Sequence, residues 1–369
     1  MRAASGATNA AWNDKFAVFS GAAGGTVTLK ESVSTTGMQF ATAGYTVGAD
    51  PGQSVTLTGA TTFRVDPALA ATINAPLIGA GSLTKADTGT LTLGGANTYA
   101  GATTVSGGAL LVNGSLANGA AGVASGATLG GTGTLGGAVT IANGGKLAPG
   151  VNGVGTITIG SLVLNGTSNL NFDLGAPNVV GGATNDLVQV TGALTLDGNL
   201  NVANAGGFGF GSYRIINYGG ALTNNGLVLG TTPAGFTGDF AVQTSVAGQV
   251  NLIVSPTSGI LFWDGPQLAA NGAVDGGTST WNNVRTNWTN AGGTVQSAWN
   301  GGMAVFTGAA GTVTLGENVT TTGMQFATNG YIVNGAAGLA ITLSGAPEVR
   351  VDPGVSTTIN ARLTGGGLT

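Results

Sequence analysis

Gly89-Thr90-Leu91-Thr92-Leu93-Gly94-Gly95-Ala96-Asn97-Thr98-Tyr99-Ala100-Gly101-Ala102-Thr103-Thr104-Val105-Ser106-Gly107-Gly108-Ala109-Leu110 alternates short runs of strand-forming residues with glycines that break them. The same pattern runs along the chain, in Val27-Thr28-Leu29, Val55-Thr56-Leu57, Leu110-Leu111-Val112 and Val139-Thr140-Ile141. Where the alternation is long enough to test, its period is two: Leu170-Asn171-Phe172-Asp173-Leu174 and Leu194-Thr195-Leu196 put their apolar side chains on one face. Strands this brief do not form a sandwich alone. Repeated without helices, they predict coils stacked on one another, each burying its inner face against the next. The predicted class is all-β, a parallel β-solenoid. With roughly 20–25 residues per coil and about 4.8 Å between strands, the chain would make about 15 coils and an elongated rod of about 70–80 Å. Asp197-Gly198 also suits a hairpin turn, so antiparallel pairing over 186–203 is the alternative there.

Composition agrees with a folded, helix-poor chain. Of 369 residues 70 are Gly, against 10 Lys and Arg and 14 Asp and Glu, and 42% are hydrophobic. Disorder goes with low hydrophobicity and high charge, the reverse of this balance. Glycine without a G-X-Y period excludes collagen, and inside helices each would cost about 1 kcal/mol relative to Ala. A net charge of −4 supplies no footprint for nucleic acid. There is no cysteine, which suits secretion without proving it. No apolar run approaches the ~20 residues of a membrane span. Met1-Arg2 leads into the small, polar stretch Ala3 to Ala11 and not into an apolar signal core.

The chain also repeats on a long scale. The segment from Trp12 returns from Trp299, and Met38-Gln39-Phe40-Ala41-Thr42-Ala43-Gly44-Tyr45 returns as Met324-Gln325-Phe326-Ala327-Thr328-Asn329-Gly330-Tyr331. Arg64-Val65-Asp66-Pro67 returns as Arg350-Val351-Asp352-Pro353, giving a unit of about 286 residues. The second copy breaks off at Thr369, so the expectation is a piece of a longer polypeptide with at least two units. Residues 1–254 are expected to form a first solenoid unit, 255–298 a junction, and 299–369 the start of a second unit. The junction holds Trp263, Trp281 and Trp288, expected to pack a seam between units, with a carbohydrate-stacking surface as the alternative.

Histidine is absent, which excludes Ser-His-Asp and Cys-His devices and His metal sites. Carboxylate chemistry remains, and Asp173, Asp186 and Asp197 come nearest to a group. On adjacent coils they could serve a glycan lyase or hydrolase, but Asn185-Asp186 and Asp197-Gly198 are ordinary corner positions. No catalytic, cofactor-binding or metal-ligating residue is assigned, and no cofactor is expected. Gly131-Thr132-Gly133-Thr134-Leu135-Gly136 satisfies a dinucleotide fingerprint, but a strand, Val139-Thr140-Ile141, follows where a helix is required. Asp275-Gly276-Gly277 is a single echo of calcium-binding nonapeptides that work only in tandem. Threonine pairs such as Thr26 and Thr28, Thr90 and Thr92, or Thr312 and Thr314 suggest a flat Thr face for glycan or ice, but lack constant spacing. Asn97 fits either an inward amide rung or a surface turn.

The stretch from Gly89 to Leu110 resembles the autotransporter-associated β-strand repeat of type V secretion passenger domains. Gly145-Lys146-Leu147-Ala148-Pro149-Gly150 and Asp186-Leu187-Val188-Gln189-Val190-Thr191-Gly192 look like further passenger sequence. The resemblance implies a right-handed parallel β-helix displayed on the outer face of a Gram-negative outer membrane, with a C-terminal translocator barrel in the parent protein. It implies a non-enzymatic stalk or adhesin role in adhesion or cell aggregation. Partners would be host or bacterial surface glycans or proteins, or further copies of itself, and not nucleic acid. A β-helix glycan-active enzyme is the alternative. Neither a signal peptide nor barrel strands are present in the sequence.

Overall fold

A computed structural model describes residues 12–365, apart from 118, 210, 237, 245 and 256–258. The stretch 1–11 and the end at Thr369, on which two of the expectations fall, lie outside the described residues. Every regular element is a strand, and no helix long and apolar enough to cross a membrane occurs among the described residues. The chain divides into two compact units: residues 1–175, 180–206 and 216–232 form unit 1, and 176–179, 207–215 and 233–369 form unit 2.

Unit 1 is a stack of parallel coils. One wall is a ten-stranded sheet that runs from Thr26–Leu29 to Val228–Leu229 and pairs in parallel throughout. Leu91, Leu110, Leu129, Leu147, Leu170 and Leu200 stand in register on this wall, one per coil, and all are fully buried. A second buried column runs Ala121, Val139, Leu162, Leu194, and a third Leu116, Leu135, Ile159, Val190. The strands Thr134–Ile141 and Thr156–Leu164 each serve both of these walls and bend between them, with a register shift between Leu135 and Ala138. Three columns around one axis make a parallel β-helix. Each inward Leu or Ile contributes about 1.5–3 kcal/mol when buried, and its apolar neighbours are largely its counterparts one coil up and one coil down.

Period two was the correct reading where it could be tested, since Leu170, Phe172, Leu174, Leu194 and Leu196 all point inward. Asp197-Gly198 is a corner and not a hairpin. Gly198 turns the chain with φ 87°, and the flanking strands Leu194–Leu196 and Asn199–Asn204 pair in parallel on different walls. Coil length departs from the expected 20–25 residues. Bonds between adjacent coils join positions 18 apart at Asn97 and Ser115, 20 apart at Leu77 and Asn97, and 31 apart at Gly155 and Asp186. The extra residues lie in corners, where no register has to be kept.

Unit 2 contains antiparallel pairing that the sequence reading did not foresee. Asp239–Gln243 pairs antiparallel with Gln249–Ser255 across a turn closed by Gln249 N–H donating to Val246 C=O (3.1 Å), with Gly248 at φ 78°. Ile260–Trp263 pairs in parallel with Met303–Phe306 but antiparallel with Trp288–Thr289. From Met303 onward parallel coils resume.

The long sequence repeat is also a repeat of local geometry. Trp12 Nε1 donates to Ser34 C=O and Trp299 Nε1 to Thr320 C=O, both at 2.7 Å. Gln39 donates to Asp66 at 2.9 Å and Gln325 to Asp352 at 3.0 Å. Phe19 stacks on Phe40 with centroids 4.7 Å apart, and Phe306 on Phe326 at 4.8 Å. Both copies shift register at the same place, between Thr35 and Gly37 and between Thr321 and Gly323.

Leu196→Asp puts an unpaired carboxylate into a fully buried position and is expected to destabilise unit 1 by roughly 3 kcal/mol or more. Thr195→Asp, on the outward side of the same strand, should change the unfolding midpoint little. Thermal unfolding of both variants followed by circular dichroism is the check.

Candidate functional site

An open groove of about 450 Å³ runs along the ten-stranded wall of unit 1, over the strands Lys146–Pro149, Asn169–Leu174 and Asn199–Asn204. Period two decides its chemistry. Leu147, Leu170, Phe172, Leu200 and Val202 turn inward, so the alternate positions Lys146, Asn169, Asn171, Asp173 and Asn201 turn outward and supply the polar lining. Register places Asn169 opposite Asn199 and Asn171 opposite Asn201 on the next coil. Asn201 Nδ2 donates to Asn171 Oδ1 at 3.0 Å, and Asn201 Oδ1 accepts from the Thr231 backbone N–H (3.0 Å) and hydroxyl (3.2 Å). The groove is thus floored by side-chain amides held in place by one another. None of them was singled out in the sequence, although Asn169-Leu170-Asn171 and Asn199-Leu200-Asn201 repeat one tripeptide on consecutive coils.

The three aspartates weighed for catalysis divide. Asp173 and Asp186 come together, because the backbone N–H of Asp173 donates to Asp186 Oδ2 (2.7 Å) and that of Gly155 to Asp186 Oδ1 (2.7 Å). Asp186 is 1% exposed, and its oxygens are committed to the backbone of two coils, which is structural work. Burial pushes its carboxyl up to about 7, against the pull of those two N–H groups, with Asp173 nearby adding to the rise. Asp197 stands apart, with Oδ1 accepting its neighbour Gly198 N–H at 2.8 Å. No trio of carboxylates is assembled.

The other motifs resolve as structure. In Gly131 to Gly136 a Cβ at Gly131, Gly133 or Gly136 would collide with the carbonyl oxygens of Val112, Gly114 and Ala117, so these glycines let coils close on each other. Asp275 receives Asn271 Nδ2 (2.6 Å), and no group of three or more metal-ligating residues gathers among the described residues. The threonines do align, contrary to their uneven spacing: Thr26, Thr46, Thr72 and Thr92 form one outward row, because unequal corners absorb the difference. The row ends at Leu111, and Thr312 and Thr314 face Ile332 and Asn334, so no extended Thr face exists there. Trp263, Trp281 and Trp288 are fully buried and Trp299 nearly so, which removes them as a sugar-stacking surface. Trp281 and Trp288 pack edge-on against Phe306 and Trp263 lies tilted to it, with centroids 5.1 Å apart for Trp263 and Trp288 and again for Trp281 and Trp288.

Comparison with known proteins fits this geometry. Residues 83–112 match the family described as passenger-associated-transport-repeat. The chain is also 43% identical over 242 residues to a protein of Brucella suis biovar 1 (strain 1330) named "Adhesin BmaC autotransporter". One passenger-associated-transport-repeat is thus recognised in the chain. That match takes in 60% of this chain and 7% of the adhesin, so the chain corresponds to a small part of its relative's length.

Within the matched repeat, the polar side chains of Lys85, Asn97 and Thr103 lie inside the coil stack, Thr103 sharing a hydrogen bond with the Tyr99 hydroxyl at 2.6 Å. Asn97 takes the inward position paired with Leu116 and is 1% exposed. Its Oδ1 accepts Leu77 N–H from the coil before (3.0 Å), and its Nδ2 donates to Gly95 C=O (2.9 Å) and to Ser115 C=O on the coil after (3.0 Å). One amide therefore ties three coils, and of the two readings left open by the sequence the inward rung is correct. Lys85 sits between Phe63 and Val105 in a buried column, and its Nζ donates to the carbonyls of Ala86 (2.8 Å), Asp87 (2.8 Å) and Gly107 (3.0 Å). Burial lowers its pKa to about 8, partly offset by the Asp87 charge.

Two outcomes follow for the chain. Asn97→Val strands one backbone N–H and two carbonyls and should cost roughly 2 kcal/mol or more, read from the denaturant midpoint at unchanged m-value. Asp186 in the folded chain binds a proton up to about pH 7, whereas in the unfolded chain it loses that proton near pH 3.9. Its contribution to stability is therefore fullest below about pH 4 and falls as pH rises to 7. Asp186→Asn should remove that portion of the pH dependence, seen as the difference between the two stability profiles from pH 4 to 8.

Proposed function

We propose that this chain is a non-catalytic, surface-displayed segment of an autotransporter passenger with an adhesin-type role, presenting its outward coil faces to cells or to other copies of itself. The observation that carries this reading is the 43% identity over 242 residues to a protein named as an autotransporter adhesin. The coil stack supports it, because a repeated scaffold offers long surface at little cost in fold. Asp186 supports the absence of catalysis, since the most perturbed carboxyl near the groove is buried and bonded to backbone. The parent protein would sit on the outer membrane of a Gram-negative bacterium, with a translocator barrel beyond this segment. Residues 299–369 are proposed as the start of a second copy of the unit, introduced by the Trp-rich stretch 255–298.

The test uses the purified chain on latex beads. Coated beads are expected to adhere to epithelial cells or to one another several-fold above albumin-coated beads, and soluble chain should compete. Beads that neither adhere nor clump at full coverage would overturn the reading, as would turnover of a polysaccharide by the pure chain.

A further inference from the structure

We infer that the groove lined by Lys146, Asn169, Asn171, Asp173, Asn201 and Thr231 is a binding site for a neutral, hydroxyl-rich glycan chain, an inference that deepens the adhesion reading and rests on it for its setting. The lining contains the groups that recognise vicinal hydroxyls: amides that donate and accept, a carboxylate that accepts from paired O–H groups, and an ammonium that donates. The amides are held before any ligand arrives. Asn201 donates to Asn171 Oδ1 (3.0 Å) and Asn169 Oδ1 (3.4 Å) and accepts twice from Thr231, so it is the frame that positions Asn169 and Asn171, and Asn169 donates to Thr167 C=O at 3.4 Å. Preorganised side chains lose little freedom on binding, which favours even a shallow site.

Spacing adds a second reason. Equivalent outward positions recur at each coil, about 4.8 Å apart, close to the width of a pyranose ring. Lys146 and Asn169, in register on adjacent coils and both in the lining, can therefore contact successive sugars. A row of polar contacts one coil apart suits a chain of similar units better than a single compact ligand.

Charge selects the class. Lys146 and Asp173 both line the groove and form no ion pair among the described residues, so each remains available to a ligand. An anionic glycan meets Asp173 and a cationic one meets Lys146, whereas neutral hydroxyls satisfy both. Phe172, the aromatic residue in the lining, turns its side chain inward and is 1% exposed, so hydrogen bonds must carry recognition without a stacking platform. Affinity per site is then low, and many copies on a surface would raise it by avidity.

The experiment titrates the whole chain calorimetrically with hexasaccharides of glucose, mannose, galactose and N-acetylglucosamine, with a sialylated oligosaccharide as the charge control. At least one neutral oligosaccharide is expected to bind, with Asn171→Ala and Asp173→Asn each weakening it tenfold or more, and Thr84→Ala, on another wall, leaving it unchanged. Asp173→Asn keeps the side-chain shape and the backbone bond to Asp186, so it retains a folded protein if the Ala variant loses one. Absence of binding by every neutral oligosaccharide up to about 10 mM, where binding free energy is already only a few kcal/mol, would overturn the inference. So would binding that survives both substitutions or that is confined to the sialylated probe. The bead assay separates the two readings: adherence without glycan binding overturns the groove alone, and glycan binding without adherence upholds the groove and overturns the adhesion reading.

Discussion

An inward Leu on one coil finds its apolar partners chiefly on the coils above and below. That dependence organises the rest of the molecule. Because strands pair in parallel, a residue and its counterpart one coil on point the same way, and the column from Leu91 to Leu200 is continuous only while register holds. A slip of one residue would turn every Leu outward and every Thr or Asn inward. Parallel pairing therefore needs devices that fix register locally, and the buried polar side chains supply them.

Asn97 is the clearest of these, since its three hydrogen bonds are satisfied only when three coils are in phase. Asp186 does the same at a wide corner, joining the backbone of Gly155 to that of Asp173. In unit 2 a second buried acid repeats the device: Asp264 accepts the backbone N–H of Asp275 at 2.7 Å and the Gln296 side-chain amide at 2.5 Å. Lys85 closes the carbonyls of Ala86 and Asp87, at the turn where Asp87 takes φ 61°, and that of Gly107 on the next coil. Each group is costly to bury alone and tolerable because its bonds go to groups that would otherwise go unpaired, all of them backbone except the Gln296 side-chain amide.

Much of this was legible beforehand. Period two at Leu170, Phe172 and Leu174 identified the inward face, and the match between Met38 and Met324 identified the long repeat, because both signals are local in sequence. Alignment between coils was not legible. Thr26, Thr46, Thr72 and Thr92 share one row at unequal separations, and the amide groove needs positions 30 residues apart to meet. Sequence shows what each coil contains but not where its corners bulge, and corners set the phase. The antiparallel strands around Trp263 and Trp288 escaped for a related reason, since Gly and Asn punctuate hairpins and solenoid corners alike.

Corners of unequal length have a consequence for how such a chain can change. An 18-residue step and a 31-residue step sit in the same stack, so an insertion at a corner leaves the hydrophobic column and the ladder bonds undisturbed. Novelty can accumulate at the rim of any coil while the scaffold is inherited intact. Recognition and folding are then governed by different residues, and selection can act on one without renegotiating the other.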